Sequence, residues 1–201
     1  MSIIKGKNIA IERAQAALRM LDLHERCKLH GFPPFQNGLT ESRVFGKDVL
    51  FYKSDMKLIE RKSLREVKTN QYILFLHYLL SDIAFSPSGQ YISFRQLPGG
   101  QFYWEPFIAK SCSPLIRAIG NDIELLKQKL TIYDWEQTNY GDFSARIHIL
   151  GNIHLLLVHY SGNDEFPANI NILFDSNISR IYQAEDISIM SSEICFGLLK
   201  S

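Results

Sequence analysis

The chain has 201 residues, with 22 basic and 21 acidic side chains and a formal net charge of +1. Hydrophobic residues make up 46% of it and charged residues 21%, which is ordinary globular usage and excludes a disordered or collagen-like chain. Because a nearly neutral chain carries no strong field, we expect neither a nucleic acid nor a membrane surface as a partner.

The N-terminal segment and the cysteines indicate the compartment. Ser2–Lys7 is too short and too polar for the apolar part of a signal peptide, and no apolar run approaches the roughly 18 residues of a membrane span. The cysteines at 27, 112 and 195 are widely spaced and form no CxxC pair, which argues against a disulfide framework, a zinc ribbon or a cysteine-only cluster. We expect a cytoplasmic protein, assign no metal site, and leave the cofactor unknown.

Residues 1–140 are predicted to be mostly helical. Apolar spacing predicts a first helix that Asn8 caps and that Gly31 stops after Leu29. Gly46 marks a hairpin within 43–52, and Ser63–Glu66 has the form of a capping box that opens an apolar helix. Beyond these, a strand is predicted at 90–94 and helices at 104–119 and 121–135.

Residues 141–185 are predicted to be rich in β-hairpins. Gly151 and Asn152 form a two-residue loop between strands at 145–150 and 153–160, and a third strand follows at 171–174. A closing helix is predicted at 186–199. We therefore expect one α+β domain over 1–201, with an antiparallel sheet and its hairpins packed against several helices.

Several blocks of sequence occur together in a characteristic order. They are Phe75–Leu80, Gly89–Gly100, Pro114–Leu115, Gly120–Asp122, Gly141–Asp142, Gly162–Pro167, Ile172–Asp175 and Tyr182–Asp186. In this order and spacing the chain resembles domain-of-unknown-function family 3786, which comprises uncharacterised proteins of anaerobic bacteria and archaea. Some relatives carry an additional cysteine-rich iron–sulfur motif and look linked to corrinoid or one-carbon metabolism, and the resemblance implies at most such a link. This chain lacks that set of cysteines, which argues against a cluster here.

The Gly151-Asn152 loop predicts which side chains share a face of the sheet. If Leu150 pairs with Ile153, the side chains of Arg146, His148 and His159 lie on one mixed face, since alternate residues switch faces. The two histidines are then about 13 Å apart along the ladder, which is too far for one zinc ion. The full mixed face comprises Ser144, Arg146, His148, Leu155, Leu157 and His159.

Acidic side chains follow two of the predicted strands. Asp164, Glu165 and Asp175 come from adjacent strand ends close to His159, and gathered carboxylates can bind a hard cation or a polar ligand. Alternatively, Asp164 and Glu165 are solvated and Asp175 caps a short helix at 176–182.

His77 and Tyr78 lie inside an apolar helix, where a histidine is often simply a hydrogen-bonded core residue. If that helix packs near Arg95, Tyr103 and Trp104, these side chains can line a pocket for a flat or anionic ligand.

Three functions remain open at this point. The leading hypothesis is an accessory ligand- or cofactor-binding domain of anaerobic metabolism, with a pocket between the His77 helix and the mixed sheet face and the acidic loop at its mouth. One alternative is a small hydrolase or lyase that uses His159 with Asp164 or Glu165 as acid and base. The other is a protein–protein interaction module that binds a partner protein through the aromatic residues around Tyr103 and Trp104.

Overall fold

A computed structural model describes residues 3–201, with side chains from position 6 onward. Its helices are α1 Ile3–Arg19, α2 Leu23–Leu29, α3 Thr69–Leu80, α4 Trp104–Lys110, α5 Cys112–Ile119, α6 Ile123–Leu130 and α7 Ala184–Lys200. Its strands are β1 Leu39–Val44, β2 Lys47–Tyr52, β3 Lys57–Glu60, β4 Tyr91–Ser93, β5 Trp135–Thr138, β6 Phe143–Leu150, β7 Ile153–Tyr160 and β8 Asn169–Asp175. Short 3₁₀ helices follow β4 at Phe94–Gln96 and β8 at Ser176–Arg180.

The strands form one antiparallel sheet in the order β3-β2-β1-β6-β7-β8-β4, and β5 also pairs with β6. The helices pack against this sheet, which confirms the predicted α+β class. The β1–β2 hairpin predicted at 43–52 is present, with Val44 opposite Lys47 and a bend at Phe45 and Gly46. Both bend residues have positive φ, 49° and 73°, as a tight hairpin turn of this kind requires.

One face of the sheet forms the core together with the helices. Alternate side chains of the central strands, such as Ile147, Leu155 and Phe174, belong to the same apolar cluster as Leu74 of α3 and Ile194 of α7. Helix α7 contacts α3, α4, α5 and α6, so the predicted closing helix lies centrally among the helices. The opposite face of the sheet is mixed in character.

The β6–β7 hairpin bends where predicted, but its register is different. Leu150 pairs with Ile153 as expected, and a bulge between His148 and Leu150 then shifts the ladder by one residue. His148 therefore pairs with His154, and His159 pairs with Phe143. Because a shift of one residue moves side chains to the opposite face, the predicted mixed face was wrong for β7.

The first predicted helix is two helices in the structure. The chain turns after Arg19, and Asp22 caps α2 by accepting a hydrogen bond from the amide of His24 at 2.9 Å. Asn8 lies inside α1 and does not cap it. The predicted capping box was also wrong, because Glu66 pairs with Ile59 in a β-bridge and α3 begins only at Thr69.

The two helices predicted at 104–119 and 121–135 begin and end at different residues in the structure. A break at Ser111 separates α4 from α5, and Asp122 rather than Asn121 caps α6, accepting from the amide of Leu125 at 2.8 Å. Helix α6 ends at Leu130, and Trp135 begins strand β5, which pairs with β6. Within the described part of the chain, no helix is both long and apolar enough to cross a bilayer.

Candidate functional site

The candidate residues do not form one pocket between the His77 helix and the mixed sheet face. The structure places them in four separate regions and leaves three of them as structural side chains. The regions are a cleft at His77, a cleft at Arg95 and Trp104, the outer sheet face at Arg146 and His148, and the loop at Asp164 and Glu165.

His159 is a buried structural histidine. Its side chain is inaccessible to solvent, and Nε2 donates to the carbonyl of Gly120 at 2.7 Å. The bulge at 149 sends this ring into the core, opposite Phe143, while His148 stays on the outer face. The acid–base arrangement that we expected at His159 with Asp164 or Glu165 is therefore not formed.

Tyr78 and Asp175 also have structural roles. Tyr78 is fully buried beneath the hairpin bend, where its hydroxyl accepts from the amide of Asn152 at 3.4 Å. Asp175 is 6% exposed and caps the 3₁₀ helix by accepting from the amide of Asn177 at 2.9 Å. It also accepts from the amides of Ser88 and Gly89, so its oxygens are already occupied.

His77 lies on a cleft of about 450 Å³ between the end of α3 and the start of α7. Nδ1 of His77 lies 3.0 Å from both carboxylate oxygens of Asp186, a residue that is 8% exposed. The His77 side chain is 33% exposed, and its Nε2 has no hydrogen-bond partner among the described residues. We call this the His77–Asp186 cleft; its lining includes His77, Leu80, Ile83, Arg180, Ile181 and Asp186.

The local fold favours a charged pair at this position. His77 is in the last turn of α3, where the helix dipole favours a cation, and Asp186 is in the first turn of α7, where it favours an anion. The hydrogen bond that His77 donates to Asp186 raises the pKa of His77 above its usual value, against the opposing effect of burial. A carboxylate on Nδ1 also fixes the ring orientation and leaves Nε2 available to a ligand.

Arg95 and Trp104 form a separate cleft of about 260 Å³, which shares no lining residue with the cleft at His77. The Arg95 guanidinium lies 5.4 Å from the centre of the Trp104 ring, a cation–π distance. Tyr103 is outside this cleft and is 50% exposed, next to Phe102 at 88%. We call this the Arg95–Trp104 cleft; its lining includes Ser93, Arg95, Trp104, Phe107, Cys112 and Asn171.

The outer sheet face carries a smaller cavity of about 190 Å³ lined by Arg146, His148 and His154. Arg146 pairs with Glu136 at 2.8 Å, and the two histidine rings lie 5.2 Å apart. Each ring also bonds to a backbone carbonyl of the hairpin bend. Arg146, His148 and His154 therefore each already have a partner within the protein.

The acidic loop does not converge with His159 or Asp175. Asp164 and Glu165 are exposed, and Asn163 organises the loop by accepting from the amides of Glu165 and Phe166 at 2.9 and 2.8 Å. Asp164 borders an open cavity of about 390 Å³ that Glu165 does not line.

Metal ligands do not gather in the part of the chain that the structure describes: no group of three or more His, Cys, Asp or Glu side chains could hold an ion. His24, Cys27 and His30 follow one another at steps of three residues along α2 and its C-cap, but their side chains do not form a metal site. His24 is exposed while the other two are buried, and burial raises the pKa of Cys27 to about 12, which keeps it a neutral thiol.

Sequence reasoning missed Asp186 and Arg180 as neighbours of His77. Asp186 is 109 positions away in the chain, and in the sequence it was only the first residue of the predicted closing helix. No local spacing signals such a contact, because it depends on how α3 packs against α7.

Comparison with known proteins identifies one family. The family model described as "Domain of unknown function (DUF3786)" matches residues 22–196. No curated protein and no solved structure is similar enough to count as a match.

Proposed function

The chain belongs to the family with the domain of unknown function DUF3786, and from its geometry we propose that it is a ligand-binding domain. The ligand is a small organic molecule with an oxygen acceptor, held in the His77–Asp186 cleft. One observation carries this proposal: His77 is oriented by a buried carboxylate and lines a cleft of about 450 Å³, and its Nε2 has no hydrogen-bond partner among the described residues.

The cleft combines hydrogen-bond donors with apolar walls. Protonated His77 donates from Nε2, and Arg180 is an exposed guanidinium with no ion pair among the described residues. Leu80, Ile83 and Ile181 supply apolar surface beside these donors. Ligand sites of this kind, with apolar walls and a few placed polar groups, suit a short carboxylic acid or a related carbonyl compound.

Binding can be tested with short aliphatic carboxylates and their matching amides as probes. We expect the carboxylates to shift the His77 ring signals in histidine-selective ¹H–¹³C spectra in a saturable way. We also expect His77→Gln and Arg180→Gln to weaken binding about tenfold or more, because hydrogen bonds to charged groups contribute about 1.5–3 kcal/mol. The matched control is His24→Gln, which alters an exposed histidine away from the cleft.

Two results would count against this proposal. One is a set of His77 signals that titrate with pH but respond to no probe. The other is probe binding that survives unchanged in both cleft variants.

A second candidate function, an acid–base enzyme, is favoured by the same pair of residues. Asp186 holds Nδ1 of His77, so that the lone pair of Nε2 can take a proton once the ring is neutral. In a screen of hydrolase and lyase substrates, His77→Gln would abolish such an activity and Asp186→Asn would lower it. An activity unaffected by both variants would exclude this role for His77.

The metabolic setting is supported by the family resemblance alone. On that basis, the proposal includes an accessory role in anaerobic metabolism. The interaction module also stays a prediction, supported by the exposed rings of Phe102 and Tyr103.

A further inference from the structure

We infer that the Arg95–Trp104 cleft is a second ligand site, independent of the first, and that it takes a planar organic anion. The cleft lies beside the part of β8 that β4 does not cover. Strand β4 pairs only with Leu173, Phe174 and Asp175, and the chain then turns away into the 3₁₀ helix at Phe94–Gln96. A gap of about 260 Å³ remains over Asn171, between the strand edge and α4.

The flat shape of the ligand follows from a stack of aromatic rings. The Trp104 ring packs on Phe107 at 5.8 Å with an interplanar angle of 26°. Phe107 packs in turn on Phe94 at 4.1 Å and 5°, so the rings support one another as a rigid platform. Trp104 and Phe107 both line the cleft, and aromatic faces prefer an offset-stacked planar partner.

The charge of the ligand follows from the charge of the lining. Arg95 is the one charged side chain among the residues that line this cleft. It has no ion pair with any described residue, and it lies over Trp104 rather than against a carboxylate. A guanidinium fork that no carboxylate occupies is suited to a carboxylate, sulfonate or phosphate on the ligand.

The remaining polar groups are consistent with an anion. Burial raises the pKa of Cys112, so this thiol is neutral near pH 7 and adds no negative charge. Ser93 already donates its hydroxyl hydrogen to Gln96 at 3.0 Å. The side-chain amide of Asn171 makes no hydrogen bond to a described residue and is available to a second polar group of the ligand.

The site can be tested with 4-nitrobenzoate and its neutral isostere 4-nitrobenzamide. Trp135→Phe leaves Trp104 as the single tryptophan, so quenching of its fluorescence reports on this cleft. We expect saturable quenching by 4-nitrobenzoate and binding of the amide that is about tenfold to a hundredfold weaker, because the charge-assisted contact is absent. Calorimetry on the same protein checks the affinity without the fluorophore.

Variants at Arg95 separate charge from packing. Arg95 is exposed, so Arg95→Gln should keep the fold and remove the preference for the anion. Arg95→Lys should retain part of that preference, since it keeps the charge but loses the planar fork. His77→Gln should leave the titration unchanged, which keeps failure of this site distinct from failure of the first.

Three outcomes would overturn the inference. They are an absence of saturable quenching, equal binding of the benzoate and the benzamide, and an unchanged affinity of Arg95→Gln for the benzoate.

Discussion

Histidine side chains in this fold differ in what holds their ring nitrogens. His159 and His30 are buried and bond to backbone carbonyls of Gly120 and Ser81, so their rings serve the core. His77 instead bonds to a carboxylate and lines a cleft, whereas the second ring nitrogen of His30 and of His159 is buried without a partner. The difference lies in the neighbour rather than in the residue type, because a carboxylate favours the charged ring and an apolar interior opposes it.

The ionisation of His77 predicts how the stability of the fold depends on pH. Its pKa in the folded chain is raised, chiefly by the hydrogen bond to Asp186, above an unfolded value of about 6.5. The pair therefore stabilises the fold fully below about pH 6.5, and this contribution is lost as pH rises through the folded pKa. Histidine ring NMR should show the raised pKa, and Asp186→Asn should bring it down.

Urea unfolding at several pH values provides the matching stability measurement. The difference in stability between the wild-type chain and His77→Gln should shrink as pH rises through that range. A difference that grows with pH would show that the sign of this linkage is wrong.

At the scale of elements, tight turns decide the register of the sheet. The bend at Gly151 starts the β6–β7 pairing, and the bulge before Leu150 decides which residues enter the core. The bend at Gly46 is sterically constrained, because it lies directly against the backbone of the chain preceding β5. A Cβ atom on Gly46 would lie 2.3 Å from the carbonyl oxygen of Ile132.

Two glycine substitutions separate backbone strain from steric contact. Gly46 and Gly31 have nearly the same φ, 73° and 74°, but nothing lies within 4 Å of a Cβ on Gly31. Gly31→Ala should cost about 1–2 kcal/mol from left-handed backbone strain alone. Gly46→Ala should cost roughly 1–3 kcal/mol more, because the added methyl overpacks the turn.

Chemical denaturation of both variants measures this difference. Equal losses of stability in the two would mean that the turn moves away from Ile132 at no cost.

At the scale of the whole molecule, one helix organises the core. Helix α7 packs on four other helices, and its Glu193 is 8% exposed, where it accepts hydrogen bonds from Asn70, Gln71 and Lys68. The N-terminal end of the same helix carries Asp186 and so forms one wall of the His77–Asp186 cleft. The packing that stabilises the domain therefore also places its candidate site.

Cysteine labelling should report unfolding of the whole domain. Cys27, Cys112 and Cys195 are buried at 0%, 3% and 1% exposure, and burial raises the pKa of each thiol. Since the thiolate is the reactive form, we expect the folded chain to resist a disulfide reagent. All three thiols should react together along the urea unfolding curve. Rapid reaction of any of them in the folded state would contradict this placement.

Much of the fold was predictable, because the signals were local. The hairpin bends at Gly46 and Gly151, the cap at Asp175 and the closing helix each depend on a few neighbouring residues. The candidate site was predictable only in part. His77, Arg95 and Trp104 were singled out by type, but the expectation that they share one pocket was wrong.

The order of several sequence blocks identified the family. Apolar periodicity and turn chemistry by themselves determined an α+β domain with antiparallel hairpins. These follow from preferences that act over a few positions of the chain. Tertiary structure alone decided that a bulge turns His159 inward and that α7 brings Asp186 to His77. The physical reason is that a register shift and a helix–helix contact depend on packing between distant segments, which no local pattern records.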